Sequence, residues 1–207
     1  MTVLLADPVI TAIPTFDSDE SLIDVTAVGL SYSGTSYPGR FVRTSLGRRL
    51  ERAQECLPDG VTLLIREGHR SSEEQQRIIS RYSNDLLAET PGLDDLTLNR
   101  LTSRFVAPLA VAPHVAGAAV DLTLADAAGS PLWMGTEIDA TPEQSDGACF
   151  FDAEIEPDAR ANRDLLASVL RAQGLVNYPT EWWHWSYGDR YWAYATGAGS
   201  ALYGPIA

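Results

Sequence analysis

The sequence predicts an α+β fold in which an antiparallel sheet is flanked by helices. Three segments repeat apolar residues at helical spacing, and several short apolar or β-branched runs are typical of strands. These helices and strands do not alternate strictly along the chain, which favours α+β over a parallel α/β sheet. The 207 residues are enough for one domain with a buried core.

Three helices are predicted from apolar residues that recur every three or four positions. The first covers residues 42–57. The second begins after Ser71, because Ser71 and Glu74 form a capping box that fixes a helix start. The third begins at Pro157, a favourable first-turn residue. Residues 90–104 are predicted to form a long loop with at most one short helical turn.

Strands are predicted where short apolar runs are bounded by turn residues. These runs are residues 3–5, 9–13, 23–28, 61–65, 118–124 and 132–134. Within the 118–124 run, Asp121 lies on the face opposite the apolar residues, because side chains alternate along a strand. A carboxylate there is unfavourable unless it is paired or binds a metal, so Asp121 is a candidate functional residue.

Composition excludes several classes of partner. The formal net charge of -13 argues against nucleic acid and against an anionic membrane surface. All fifteen basic residues are arginine, so lysine chemistry is absent. Cys56 and Cys149 are too few for a disulfide framework and are expected to be reduced, buried thiols. The first residues lack the pattern of a signal peptide, so a cytoplasmic location is expected.

Two of the three histidines lie in segments that also carry acidic residues. His114 precedes Asp121 by seven positions, and His184 follows Glu181 by three. Two imidazoles and one carboxylate make a three-ligand zinc set that leaves a fourth position for water. Glu181 could act as general base on that water. Because strand side chains alternate, Glu181 and His184 can address one metal only if a bulge or bend separates them.

The pattern His114-x-x-Gly117-x-Ala119-x-Asp121, followed by Glu181-x-x-His184, resembles the signature of the zinc D-Ala-D-Ala dipeptidases. That family belongs to a wider group with D,D-carboxypeptidases and the Hedgehog-type fold. Gly68-His69-Arg70 after a buried strand and Met134-Gly135-Thr136 before an acidic loop extend the resemblance over about residues 40–190. It implies a Hedgehog/DD-peptidase-like fold and a zinc-bound water that attacks the amide carbonyl of a small dipeptide or peptide-like substrate.

The resemblance also implies a role for each site residue. One Zn²⁺ per chain would be held by His114, Asp121 and His184. Glu181 would take a proton from the zinc-bound water and pass it to the leaving amine. Arg70 would stabilise the oxyanion, because its fixed positive charge suits charge that develops in the transition state. Asp139 would receive the free amino group of a dipeptide, unless it is only a solvated loop carboxylate. His69 replaces a family tyrosine and is expected to be structural.

Departures from the family pattern leave the substrate open. Ala112 stands where the family usually has a serine that helps to hold the substrate carboxylate, Asp146 stands where a histidine often closes the acidic loop, and residues 32–40 match the family's substrate loop poorly. The expected function is a zinc dipeptidase of the D-Ala-D-Ala type. The alternatives are a related zinc hydrolase acting on a different peptide-like metabolite in a biosynthetic pathway, or a non-hydrolytic zinc-binding protein on the same scaffold.

The chain is predicted to be a single metallopeptidase-like domain over residues 1–207. Residues 1–40 would supply N-terminal strands and a substrate loop. Residues 41–195 would form the catalytic core, and residues 196–207 a tail.

Overall fold

The structure is a computed structural model that describes residues 2–16 and 18–206. Its helices are α1 (Pro8–Thr11), α2 (Thr44–Glu55), α3 (Ser72–Glu89), α4 (Asp95–Thr102), α5 (Pro157–Ala172) and α6 (Arg190–Thr196). Its strands are β1 (Leu22–Asp24), β2 (Ser31–Tyr32), β3 (Phe41–Arg43), β4 (Thr62–Glu67), β5 (Ala119–Ala125), β6 (Val176–Asn177) and β7 (His184–Ser186). Met1 and Ala207, the ends of the predicted domain, lie outside the described residues, and the division of that domain stays a prediction.

A five-stranded sheet with the order β2-β4-β5-β7-β6 forms the centre of the fold. β4, β5, β7 and β6 pair antiparallel, and β2 joins the edge parallel to β4. A second, two-stranded antiparallel sheet pairs β1 with β3. The prediction of an α+β fold with an antiparallel sheet and flanking helices is therefore confirmed, with one parallel pair at the edge.

Every residue of β5 is buried, and its two faces serve different purposes. Val120, Leu122 and Leu124 join the main core, which α2 and α5 cover. Burying each such aliphatic side chain stabilises the fold by roughly 1.5–3 kcal/mol. Because side chains alternate along a strand, Asp121 and Thr123 face the other side of the sheet. β5 is thus fixed by its apolar face while it presents a carboxylate on the opposite face.

The predicted helices α2, α3 and α5 are present, and the Ser71 hydroxyl caps α3 by accepting a hydrogen bond from the Glu74 backbone N–H (3.2 Å). The strand predicted at residues 9–13 is wrong: Pro8 starts the short helix α1. Residues 3–5 are not a strand either, and residues 25–28 form a 3-10 turn after β1.

Two further segments differ from the sequence prediction. Residues 132–134 make no strand, and only Pro131 pairs with Ala125 through an isolated bridge. The predicted 90–104 loop contains the eight-residue helix α4, which Asp94 caps by accepting a hydrogen bond from the Thr97 backbone N–H (2.8 Å). A single cap and a weak apolar pattern explain why this helix is hard to predict.

The two cysteines are free, and Cys149 is buried as expected, but Cys56 is exposed. Cys56 is the residue that ends α2 and lies beyond its last apolar contact with the core. Among the described residues, no helix is both long enough and apolar enough to cross a membrane.

The fully buried Arg163 of α5 organises the loop between residues 134 and 151. Its guanidinium donates hydrogen bonds to the carbonyl oxygens of Met134 (2.7 Å), Phe150 (2.6 Å) and Ala148 (2.8 Å). These carbonyls belong to a loop with no sheet partners, so the arginine supplies the donors that a strand would otherwise provide.

We expect Arg163→Met to lower the free energy of unfolding by about 3 kcal/mol, because it leaves several buried carbonyls without donors. Chemical denaturation measures this change. Arg77→Met is the matched control, since the Arg77 side chain is 65% exposed and its surface ion pairs contribute about 0.5 kcal/mol or less. A loss for Arg163→Met no larger than that of the control would contradict the prediction.

Candidate active site

The centre of the site is built across three neighbouring strands. Asp121 of β5 lies directly opposite His184 of β7, and on its other side it lies opposite Glu67 of β4. A register shift between Ile65 and Glu67 marks an irregularity in β4. Such irregularities re-aim side chains next to functional sites. The sheet register therefore places Glu67, Asp121 and His184 side by side.

His114 reaches this row from a turn that precedes β5. Its carbonyl oxygen accepts hydrogen bonds from the backbone N–H groups of Gly117 (3.0 Å) and Arg70 (3.2 Å). Its ring Nδ1 lies 2.6 Å from the carbonyl oxygen of Gly68. A carbonyl can only accept, so Nδ1 carries a proton, and in the neutral ring Nε2 keeps its lone pair for a metal ion.

Two glycines make this placement of His114 possible. Gly117 has φ +63°, and a Cβ there would lie 2.7 Å from the Leu22 side chain. A Cβ at Gly68 would clash with the backbone oxygen of Phe41. Both positions therefore require glycine. Gly117 is needed for its backbone conformation and for space, and Gly68 for space alone.

The side chains of His114, Asp121 and His184 converge on one point. His114 Nε2 lies 3.1 Å from His184 Nδ1, and Asp121 Oδ1 lies 3.1 Å from His184 Nδ1 and 3.3 Å from His114 Nε2. Bonds of about 2.0–2.1 Å in a tetrahedral zinc site place ligand atoms roughly 3.3 Å apart. The three residues are buried, and this donor set fits one divalent metal ion.

Glu181 lies in a tight turn rather than in a strand. The alternation of side chains along a strand therefore does not separate Glu181 from His184. Its N–H donates to the Tyr178 carbonyl (3.0 Å), and the His184 N–H donates to the Glu181 carbonyl (3.3 Å). The turn brings Glu181 Oε2 to 3.6 Å from His184 Nδ1. The Asn177 amide holds the turn by donating to the carbonyls of Glu181 and His184, each at 2.9 Å. Asn177 was not among the predicted site residues.

The two buried carboxyls of the site have opposite electrostatic environments. Burial raises the pKa of Glu181 well above its usual range, and the negative charges of Asp121 and Asp139 raise it further, against the effect of Arg70. Burial also disfavours the Asp121 carboxylate, but without a metal ion the charge of a protonated His114, with hydrogen bonds from His114 and His184, outweighs burial and lowers the pKa of Asp121. One carboxyl therefore favours holding a proton while the other stays ionised, a division typical of acid–base sites.

Arg70 is held in place by two side chains that were not predicted as site residues. Its Nε and Nη2 donate to the two carboxylate oxygens of Glu67 at 2.8 and 2.5 Å, and its Nη1 donates to Gln75 Oε1 at 2.9 Å. The buried Gln75 is fixed in turn, because its Nε2 donates to the Ala107 carbonyl (2.8 Å). Burial alone would lower the pKa of Arg70, but Glu67 outweighs burial and raises it, so the guanidinium stays charged.

The predicted Asp139 lies on the loop after Met134-Gly135-Thr136, and the indole of Trp182 donates to the Thr136 hydroxyl (2.8 Å). Asp139 is exposed at the rim of the cavity. Protein atoms packed around the carboxyl disfavour its charged form, and with the negative charges of Asp121 and Glu67 they raise its pKa to about 6 against the positive charges of Arg70 and Arg66.

All six predicted site residues line one cavity of about 440 Å³, within the range of small-molecule sites. They are Arg70, His114, Asp121, Asp139, Glu181 and His184.

The residues singled out as departures from the family pattern are not in that lining. Ala112 is buried in a separate apolar cluster, and residues 32–40 do not line the cavity. Asp146 borders a different cavity. His69 also lies outside the lining, and its Nε2 is buried without a hydrogen-bond partner among the described residues.

Three converging side chains that could hold a metal ion, an adjacent carboxyl and a guanidinium in one cavity are the groups that a metal-dependent hydrolase uses. A model of the D-Ala-D-Ala dipeptidase family, Peptidase_M15, matches residues 52–197, a stretch that includes all six predicted site residues. The chain belongs to this family of metallopeptidases.

Individual relatives agree with the family match. The chain is 28% identical over 217 residues to a D-alanyl-D-alanine dipeptidase of Synechocystis sp. (strain ATCC 27184 / PCC 6803 / Kazusa), with 88% of each chain covered. It is 38% identical over 71 residues to a D-alanyl-D-alanine dipeptidase of Escherichia coli (strain K12), with 34% of this chain and 35% of the relative covered. A solved zinc complex of a mutant of the vancomycin resistance D,D-pentapeptidase VanY covers 89% of this chain and 86% of that chain at 19% identity, with a TM-score of 0.43.

We expect His114→Ala to reduce zinc affinity at least a hundredfold, because it removes one of three ligands. Isothermal titration of the metal-free protein, with elemental analysis of the product, measures the effect. His69→Ala is the matched control, since it removes the third histidine of the chain, which lies outside the cavity lining. Equal zinc affinity in the two variants would rule out His114 as a ligand.

Proposed function

We propose that the protein is a zinc-dependent dipeptidase of the D-Ala-D-Ala type, with one Zn²⁺ held by His114, Asp121 and His184. The observation that supports it best is the convergence of their three ligand atoms at 3.1–3.3 Å beside the Glu181 carboxyl. A zinc ion in such a site polarises a carbonyl group and lowers the pKa of water, so that hydrolysis proceeds near neutral pH.

Glu181 is proposed as the general base and then the general acid. Its carboxyl lies within the row of ligands, 3.6 Å from His184 Nδ1, and burial raises its pKa. A raised pKa brings a carboxyl closer to the range in which it can both accept a proton and return it. Glu181 would accept a proton from the attacking water and deliver it to the amine that leaves when the amide bond breaks.

Arg70 is proposed to stabilise the negative charge that develops on the carbonyl oxygen. A guanidinium has five N–H donors. Glu67 and Gln75 accept from three different nitrogens of Arg70, and each Nη keeps a second N–H. Those donors belong to a side chain that is already fixed, so little reorganisation is needed when the charge appears.

Asp139 is proposed to bind the free amino group of the substrate. It lies at the rim of the same cavity as the metal ligands, where a carboxylate can pair with an ammonium group. D-Alanyl-D-alanine is the substrate named for the relatives, and a dipeptide of that type is proposed here. The presence of Glu181 and Arg70 in the cavity argues against a non-hydrolytic zinc-binding protein. A cytoplasmic location stays a prediction.

We expect Glu181→Gln to bind zinc with unchanged stoichiometry while kcat for dipeptide hydrolysis falls by about 10²–10⁴-fold, the usual contribution of a general base. Elemental analysis and an assay for released D-alanine give the two readouts. Glu154→Gln changes an exposed glutamate that does not line the cavity of the site, and it should keep full activity. A rate in Glu181→Gln close to that of Glu154→Gln would remove Glu181 from the mechanism.

We expect dipeptide binding to weaken as the pH falls through about 6, because the Asp139 carboxyl becomes neutral there and can no longer pair with the ammonium group. Asp139→Asn should raise KM about tenfold at pH 8 and abolish this step in the KM profile. Asp146→Asn is the control, since Asp146 is also an exposed aspartate with positive φ but borders another cavity. An unchanged profile in Asp139→Asn would leave Asp139 a solvated carboxylate.

A further inference from the structure

The cavity has two chemically different halves. The metal-binding half carries the six proposed site residues. The other half is formed by α3 and by the segment after α4, and its apolar side chains pack in one cluster. These side chains are Ile78, Tyr82, Phe105 and Val106. Arg81 and Asp85 of α3, both exposed, also line the cavity.

The apolar half is preformed in this structure. The rings of Tyr82 and Phe105 pack with their centroids 4.9 Å apart. The Tyr82 hydroxyl is already used, because it donates to Glu143 Oε2 at 2.7 Å. Tyr82 and Val106 are only 5% and 3% exposed, and both belong to the cluster that joins α3 to α4. Because the Tyr82 hydroxyl is engaged, Tyr82 presents its ring to this end of the cavity, which the charged Arg81 and Asp85 also line.

Helix α3 gives a measure of how far the cavity extends from the catalytic groups. Gln75 contacts Arg70, and Ile78 and Tyr82 follow along the same helix. At 1.5 Å per residue, Tyr82 lies about 10 Å along the axis from Gln75. Two alanines joined by one peptide bond have Cα atoms only about 3.8 Å apart, and each carries a single methyl group. A dipeptide of two alanines seated at the metal site therefore leaves the apolar half without a partner.

We propose that the substrate of this site is a dipeptide in which one residue has a large aliphatic or aromatic side chain, which binds in the apolar half beside Ile78, Tyr82 and Phe105. This inference rests on the proposed dipeptidase function and specifies its substrate class. Apolar surface that would otherwise face water favours a ligand group of matching shape. Filling this half with a leucine or phenylalanine side chain is expected to raise kcat/KM roughly 10- to 100-fold over an alanine.

The test compares dipeptides that differ only in one side chain. The zinc-loaded enzyme is assayed with Ala-Ala, Ala-Leu, Leu-Ala, Ala-Phe and Phe-Ala, each as the D,D and the L,L isomer. We expect at least one leucine or phenylalanine peptide to exceed Ala-Ala of the same stereochemistry by tenfold or more in kcat/KM. Comparing kcat/KM for Ala-Leu with Leu-Ala, and for Ala-Phe with Phe-Ala, shows which of the two substrate residues faces the apolar half.

A pair of variants assigns the preference to this surface. Ile78→Phe fills the apolar half and should reduce the preference for a large side chain over alanine to less than twofold. Ile79→Phe is the matched control, because Ile79 packs in the same α3–α4 cluster but does not line the cavity. It should keep the preference, and thermal denaturation of both variants confirms that they fold.

Two outcomes overturn the inference. If Ala-Ala is hydrolysed at least as efficiently as every larger peptide, the substrate class is wrong while the dipeptidase function stands. If no peptide is hydrolysed, the proposed function fails, and binding then decides the substrate class. Kd values for the same peptides are then measured by calorimetry on zinc-loaded Glu181→Gln. At least one leucine or phenylalanine peptide should have a Kd tenfold or more below that of Ala-Ala, and equal Kd values would refute the proposed substrate class.

Discussion

A buried negative charge at Asp121 is the constraint on which the rest of the site depends. Asp121 is 3% exposed and lies in a strand whose other face is the main apolar core. An isolated carboxylate in such a place is strongly unfavourable, and it is tolerated when it is paired or binds a metal. The fold supplies that compensation with His184 from β7 and His114 from the preceding turn. A bound metal ion would supply the remainder.

The groups that surround the Asp121 charge are themselves held in place by other parts of the chain. His114 can face the carboxylate because the carbonyl of Gly68 fixes its ring. The backbone at Gly68 packs so closely against the Phe41 carbonyl that no side chain would fit at position 68. The same turn of chain continues into Arg70, which Glu67 and Gln75 hold beside the site. His114 and Arg70 are thus each fixed by neighbouring groups, the Gly68 carbonyl for the first and Glu67 with Gln75 for the second. Such support allows a site to hold its geometry without substrate.

The sequence predicts those parts of the fold that have a long pattern or a clear cap. Helices α2 and α5 have regular apolar stripes, and Ser71 marks the start of α3, so these elements are found. The four-residue helix α1 and the two-residue strand β6 are too short for any period to show, and their conformations depend on what they pack against.

A similar division applies to the site. His114, Asp121, Glu181 and His184 were singled out because their residue types and spacing suit one chemistry, and the structure brings them together. Glu67, Gln75 and Asn177 were not found as partners, since a hydrogen bond between segments distant in sequence, or across a turn of unknown shape, leaves no spacing to detect. The polar run at the end of β4 was a usable signal for Glu67, because polarity at a strand end often marks a site.

The proposed chemistry and the proposed substrate selection involve different parts of this chain. The proposed metal ligands and Glu181 lie on or next to β5 and β7, where the sheet register aligns Asp121 with His184. The apolar wall of the cavity comes from α3 and the segment after α4, which form a separate packed cluster and carry none of the family signature. Substitutions in that cluster can reshape the cavity without moving a metal ligand. On the proposed function, the family motif would determine the reaction, while the size and polarity of the substrate would depend on the side chains that α3 presents to the cavity.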